Sequence, residues 1–138
     1  MLAPILFLIA LGSSSPFTRS AVHGDWRTSA MGGATIRFST CGQDLCGRIV
    51  AIDGDSKASP KLDQNNPDPA KRSQPLVGKM FISGMQGGPA AWKKGNIYHP
   101  PSGRTVSGNM RLIDPQTIEL EACMMLMCRK SRLTRLAK

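Results

Sequence analysis

Apolar and polar positions alternate along most of this chain. In the run ATIRFST, Ile36 and Phe38 fall on one face and Thr35, Arg37 and Ser39 on the other. TVSGNMRL sets Val106, Gly108, Met110 and Leu112 against Ser107, Asn109 and Arg111, and TIELEA sets Ile118, Leu120 and Ala122 against Thr117, Glu119 and Glu121. A period of two marks half-buried antiparallel strands. After residue 21 no stretch reads as an amphipathic helix, and the 14 Gly and 10 Pro fall mostly between the alternating runs. The pattern predicts about eight strands, near residues 23–29, 34–40, 46–52, 76–82, 90–98, 104–113, 117–123 and 128–135. All connections are short except 53–75. Eight short sequential strands favour an all-β, antiparallel up-and-down barrel, because closure removes exposed edges. A two-sheet sandwich is the alternative.

The first 21 residues differ in kind. Leu2 to Leu11 is nearly all apolar and is followed by small and polar residues, as in a secretory signal peptide. The run is too short to span a membrane core, which takes roughly 20 apolar residues. Residues 1–21 are therefore expected to be a leader and residues 22–138 a single domain, periplasmic or secreted, with no transmembrane segment after leader removal. Removing residues 1–21 takes away one basic residue, Arg19, and leaves 17 Lys+Arg against 9 Asp+Glu, a formal charge of +8. Such a surface favours anionic partners. Export argues against nucleic acid, and at 5% aromatics the chain is poor in base-stacking side chains.

The four cysteines form two matching units, Cys41-GQDL-Cys46 and Cys123-MMLM-Cys128. An even count in a small exported chain points to disulfides rather than metal, and neither His23 nor His99 lies near a pair. In a meander every second turn lies at the same end, so the two units occupy opposite ends and each closes on itself as a stapled hairpin. The same count brings the long connection 53–75, the turn YHPPSG and the unit CMMLMC to one end. Barrel mouths are favoured places for ligands.

GDW, CGQDLCGRI, DQNNPDPAKRSQPLVG, GNIYHPPSG and a final LTR occur in this order. As a set they resemble the exported bacterial family called Domain of Unknown Function 2147, over residues 24–135. That family has no agreed activity, so the resemblance implies a compartment and a small lipocalin-like β-barrel rather than a reaction. Here Lys94-Gly95-Asn96 stands where two glycines usually precede Ile-Tyr, His99 replaces an Asp, and Leu133 replaces a Trp. Gly24-x-Trp26 with a late Arg is also similar to the lipocalin pattern, which implies that Arg135 covers Trp26.

Candidate chemistry gathers at the long-loop end. Asp53, Asp55, Asp63, Asn65, Asn66 and Asp68 offer hard oxygens, but an EF-hand counted from Asp63 fails at its sixth and twelfth positions, Asp68 and Gln74. Asx and Pro residues together suit a rigid loop bonded to itself, so no metal is expected. The methionines of CMMLMC suit packing or a partner better than a soft metal. His99 stands beside Tyr98 without a nucleophile or carboxylate motif, so no catalytic residue and no cofactor are assigned. The expected ligand-binding residues are Tyr98, His99, Asn66, Asp68 and Met125, for a small hydrophobic or anionic ligand or an anionic envelope surface. A structural or interaction module of the cell envelope is the alternative function.

Overall fold

A computed structural model describes Pro4, residues 17–54 and residues 61–137. Most of the expected leader lies outside these residues, as do Asp55 and Lys57. Eight strands follow in order: β1 Gly24–Thr28, β2 Ala34–Cys41, β3 Asp44–Ile52, β4 Met80–Gly87, β5 Ala91–His99, β6 Arg104–Asp114, β7 Thr117–Met124 and β8 Met127–Arg135. Each pairs antiparallel with the next, and β1 meets β8 through Trp26↔Arg135 and Arg27↔Thr134. The result is a closed up-and-down barrel, not a sandwich.

One strand departs from the expected boundaries. The alternation placed the fourth strand at 76–82, whereas β4 spans Met80–Gly87. Leu76 belongs instead to the preceding loop, where its N–H donates to the Lys61 carbonyl at 2.9 Å. Gly84 (φ +64°) lies inside β4, so a residue that reads as a turn is a local irregularity within a strand. One of the two register shifts between β3 and β4, from Leu45↔Met85 to Gly47↔Ile82, spans Gly84.

Side chains fill the bore. Ile36, Ile49, Ile82, Ile118 and Leu133 are fully buried there with Trp26 and Phe38. Small residues make room for large ones. A Cβ on Gly95 would lie 2.4 Å from Met85 Sδ, and one on Gly108 would lie 2.2 Å from Ile97 Cδ1.

At the end where β1 begins, Arg135 lies 4.2 Å from the Trp26 ring centroid. Its guanidinium also donates to the carbonyls of Pro115 (2.8 Å), His23 (2.9 Å) and Ala21. Trp26 Nε1 donates to the Val22 carbonyl at 2.9 Å. This end is therefore latched by one arginine. Cys41–Cys46 staples the β2–β3 hairpin at this end, and Cys123–Cys128 staples the β7–β8 hairpin at the other.

Candidate functional site

The segment LDQNNPDP folds on itself. Leu62 and Pro75 form a bridge, and the Asp63 N–H donates to the Gln74 carbonyl at 2.9 Å. Asn66 N–H closes a turn onto the Asp63 carbonyl at 3.0 Å. Asn66 Oδ1 then accepts from the Asp68 N–H at 2.9 Å, and Asp68 Oδ1 accepts from the Ala70 N–H at 3.0 Å. These are the local bonds that short Asx side chains make with the backbone just after them. Asn65 Nδ2 clasps the β5–β6 turn by donating to the Pro101 carbonyl at 3.0 Å.

Asp63 is the centre of this arrangement and is fully buried. Tyr98 OH donates to its Oδ1, Asn66 Nδ2 donates to its Oδ2 at 2.7 Å, and Lys79 Nζ lies 3.4 Å from Oδ2. Lys79 is held in turn by Gln74 Oε1 at 2.7 Å. Burial alone raises the Asp63 carboxyl, but the bonds from Tyr98, Asn66 and Lys79 outweigh it and hold the group below its ordinary value. Burial, and then the hydrogen bond and charge of Asp63, push the Tyr98 hydroxyl well above its ordinary value.

A cleft of about 490 Å³ opens beside this cluster, lined by Asp63, Asn66, Pro67, Lys71, Lys79, Met80, Phe81, Ser83, Asn96, Tyr98, Gly103 and Thr105. Cross-strand pairing places it. Ile82 pairs with Ile97, and Ile97 with Val106, on the inward face. Ser83 pairs with Asn96, and Tyr98 with Thr105, on the opposite face. The cleft thus lies between the folded loop and the outer wall of β4–β6, not at the barrel mouth, where the spacing of the elements gathers the long connection, the YHPPSG turn and CMMLMC. The side chains of Ser83, Asn96 and Thr105 line it without a hydrogen bond to another described residue.

The five expected residues do not converge. Tyr98 and Asn66 belong to the Asp63 cluster. Asp68 caps the short 3-10 turn Pro69–Lys71 and does not line the cleft. His99 Nδ1 is bonded to Ser102 Oγ at 2.7 Å on the exposed turn. Met125 stands in solvent at the β7–β8 tip. Sequence reasoning missed Lys79, Ser83, Asn96 and Thr105, and named Asp63 only as one of several acidic oxygens. Tyr98 and Asp63 are 35 positions apart, and only the docked loop joins them. Among the described residues one group of metal-ligand type comes together, Glu121 with Cys123 and Cys128, whose ligand atoms lie within 4.8 Å of one another. Both sulfurs are joined in a disulfide and offer no thiolate.

A closed eight-stranded meander latched by an arginine over a first-strand tryptophan is a lipocalin-like barrel. A solved structure of similar shape is protein HP1028 from Helicobacter pylori, described as belonging to the lipocalin family. It matches with a TM-score of 0.74 at 20% identity, over 84% of this chain and 83% of that one. The protein itself belongs to the family described as "Uncharacterized protein conserved in bacteria (DUF2147)", which it matches over residues 24–135. No curated protein matches the sequence.

Proposed function

We propose that this is an exported binding protein that holds a small polar ligand, one bearing an acidic group, in the cleft outside β4–β6. The observation that carries this reading is the set of uncommitted polar side chains, Ser83, Asn96 and Thr105, facing a preformed wall with Lys71 at its rim. A concavity of this size with a few convergent polar groups is the usual form of a small-ligand site. The Asp63–Tyr98–Asn66–Lys79 cluster supports it from behind. With each of its bonds made internally, the cluster fixes the wall and leaves recognition to its neighbours. Lys71 is the cation that remains for an anion, because Lys79 is engaged by Asp63 and Gln74. The filled bore favours this polar site over an enclosed lipid. Export is supported by the two disulfides and the apolar leader. Among the described residues no helix is long and apolar enough to cross a membrane.

Native mass spectrometry of protein purified from its own envelope fraction should show a bound small molecule. Titration of that molecule into refolded protein should give saturable thermal stabilisation. Asn96→Ala or Ser83→Ala should weaken binding about five- to tenfold, the usual cost of one hydrogen bond. Leu126→Ser, at the distant hairpin tip, should leave it unchanged. A clean apo mass, or equal affinity in the cleft variants, removes the reading.

A further inference from the structure

The β7–β8 hairpin carries a surface that the cleft does not explain. Its tip exposes Met124 (48%), Met125 (96%), Leu126 (101%) and Met127 (70%) in one contiguous apolar cap. Isolated exposed apolar residues need no explanation, but a contiguous patch at the end of a projection does. The hairpin stands clear on its β8 edge: the β1–β8 register runs Trp26↔Arg135 and Arg27↔Thr134, so the stretch from Met127 to Arg132 runs beyond the end of β1 at Thr28.

The turn chemistry points the same way. Met124 pairs with Met127, so Met125-Leu126 is a two-residue turn, and Met125 has φ +56°. Turns of this kind call for Gly, Asn or Asp at such a position. A methionine there is held in a sparsely populated conformation, at a site where its side chain contributes no burial. The Cys123–Cys128 disulfide lies directly behind the turn and holds the tip in shape before any contact is made. Preorganisation lowers the ordering cost of binding.

We propose that this stapled tip is an interfacial anchor that inserts Met125 and Leu126 into the headgroup region of an anionic lipid surface. The charges beneath the tip select this occupant. Arg104 Nη1 lies 3.7 Å from Met124 Sδ, and Arg129 and Lys130 follow the disulfide; Lys130 stands opposite Glu121 and its Nζ lies 3.7 Å from Glu119 Oε1, so Arg104 and Arg129 carry the collar. An apolar tip above a basic collar matches the two forces that hold proteins at such an interface, apolar burial and attraction to anionic headgroups. A second copy of the chain fits poorly, since each carries a formal charge of +9. Leu62 and Val77, also exposed, belong to the β3–β4 connection at the same barrel end and would face the same surface.

The test is flotation of the disulfide-intact protein with vesicles containing phosphatidylglycerol and with vesicles of phosphatidylcholine alone. The protein should float with the first and not the second, and high salt should release it. Leu126→Asp should weaken binding at least about tenfold, from lost apolar burial. Arg129→Gln should weaken it about fivefold. Met125→Gly is the discriminating variant: it should keep or raise the melting temperature, because the turn relaxes, while binding falls. Asn96→Ala should leave vesicle binding intact, which separates this surface from the cleft. Failure to float with either vesicle, or tip variants that bind as the wild type does, overturns the proposal. So does a solution mass showing a dimer that Leu126→Asp dissolves, which would make the tip a contact between copies.

Discussion

Asp63 shows how one buried carboxylate organises a loop. A charge removed from water is tolerated only when hydrogen bonds and a counter-charge replace the lost hydration. Here Tyr98, Asn66 and Lys79 do so, and the Asp63 carboxyl titrates below its ordinary value. A lowered folded-state value contributes stability that is present above the unfolded value, near 4, and is lost as pH falls through the folded one. Tyr98 works in the opposite sense. Its raised value contributes stability below about pH 10 that is lost as pH rises through the folded value. Asp63→Asn should therefore cost about 2 kcal/mol at neutral pH, at the low end for a broken pair because Lys79 keeps some contact with water. It should also flatten the acid limb of the stability curve. Urea unfolding of both proteins between about pH 3 and pH 8 checks this. Parallel curves would mean that the loop is held by its backbone bonds alone.

At the scale of elements, the alternation of side chains disclosed the architecture wherever one strand face is buried, because burial on one face imposes a period of two. Ile36 and Phe38 on β2, and Ile118 and Leu120 on β7, are inward as their spacing required. β4 was displaced because Leu76 and Val77 lie in the loop despite strand-like chemistry, while Gly84, Gly87 and Gly88 looked like punctuation. The closure of each Cys-x4-Cys unit was legible from topology. The site was legible only in part. The loop's self-bonding follows from its Asx residues, but which carboxylate it buries depends on docking against Tyr98 and the β5–β6 turn. Gly103 is the point where that docking is tightest. It has φ +68°, and a Cβ there would lie 1.8 Å from the Asn65 carbonyl oxygen. Backbone cannot yield as a flexible side chain tip does. Gly103→Ala should lift the loop from β5–β6 at a cost of about 2–3 kcal/mol, combining overpacking with left-handed strain. Limited proteolysis should then cut between residues 61 and 79, with the barrel fragment surviving. Gly42→Ala serves as the comparison: φ is also positive, but nothing lies within 4 Å, so its cost should be smaller.

At the scale of the whole molecule, the latch, the cleft and the exposed apolar tip lie apart, by end and by wall. One end is latched by Arg135, the outer wall of β4–β6 carries the cleft, and the far end carries the β7–β8 hairpin with its own staple, Cys123–Cys128. The latch depends on residues ahead of the first strand. The Ala21 and His23 carbonyls accept from Arg135, the Val22 carbonyl accepts from Trp26, and Phe17 and Ala21 pack against the core. Within this segment, Ala21 N–H donates to the Thr18 carbonyl at 3.1 Å and His23 N–H to the Ser20 carbonyl at 3.0 Å. The barrel is therefore closed by a short cap, not by strands alone. A chain beginning at Val22 loses one acceptor for a charged guanidinium together with the Phe17 contact. A hydrogen bond to a charged group contributes about 1.5–3 kcal/mol, so that chain should be less stable by about 2 kcal/mol than one beginning at Phe17. Arg135→Lys in the longer chain should lose a similar amount, because an ammonium cannot stack on Trp26 and serve three carbonyls at once. Adding the truncation to Arg135→Lys should then cost little more, since both remove the same bond. Thermal unfolding of the four proteins closes the cycle. Fully additive losses would show that the cap stabilises the barrel through Phe17 packing and not through the arginine. Terminal sequencing of the protein purified from its own host supplies the remaining comparison, with a first residue at or before Phe17 expected if the cap belongs to the working molecule.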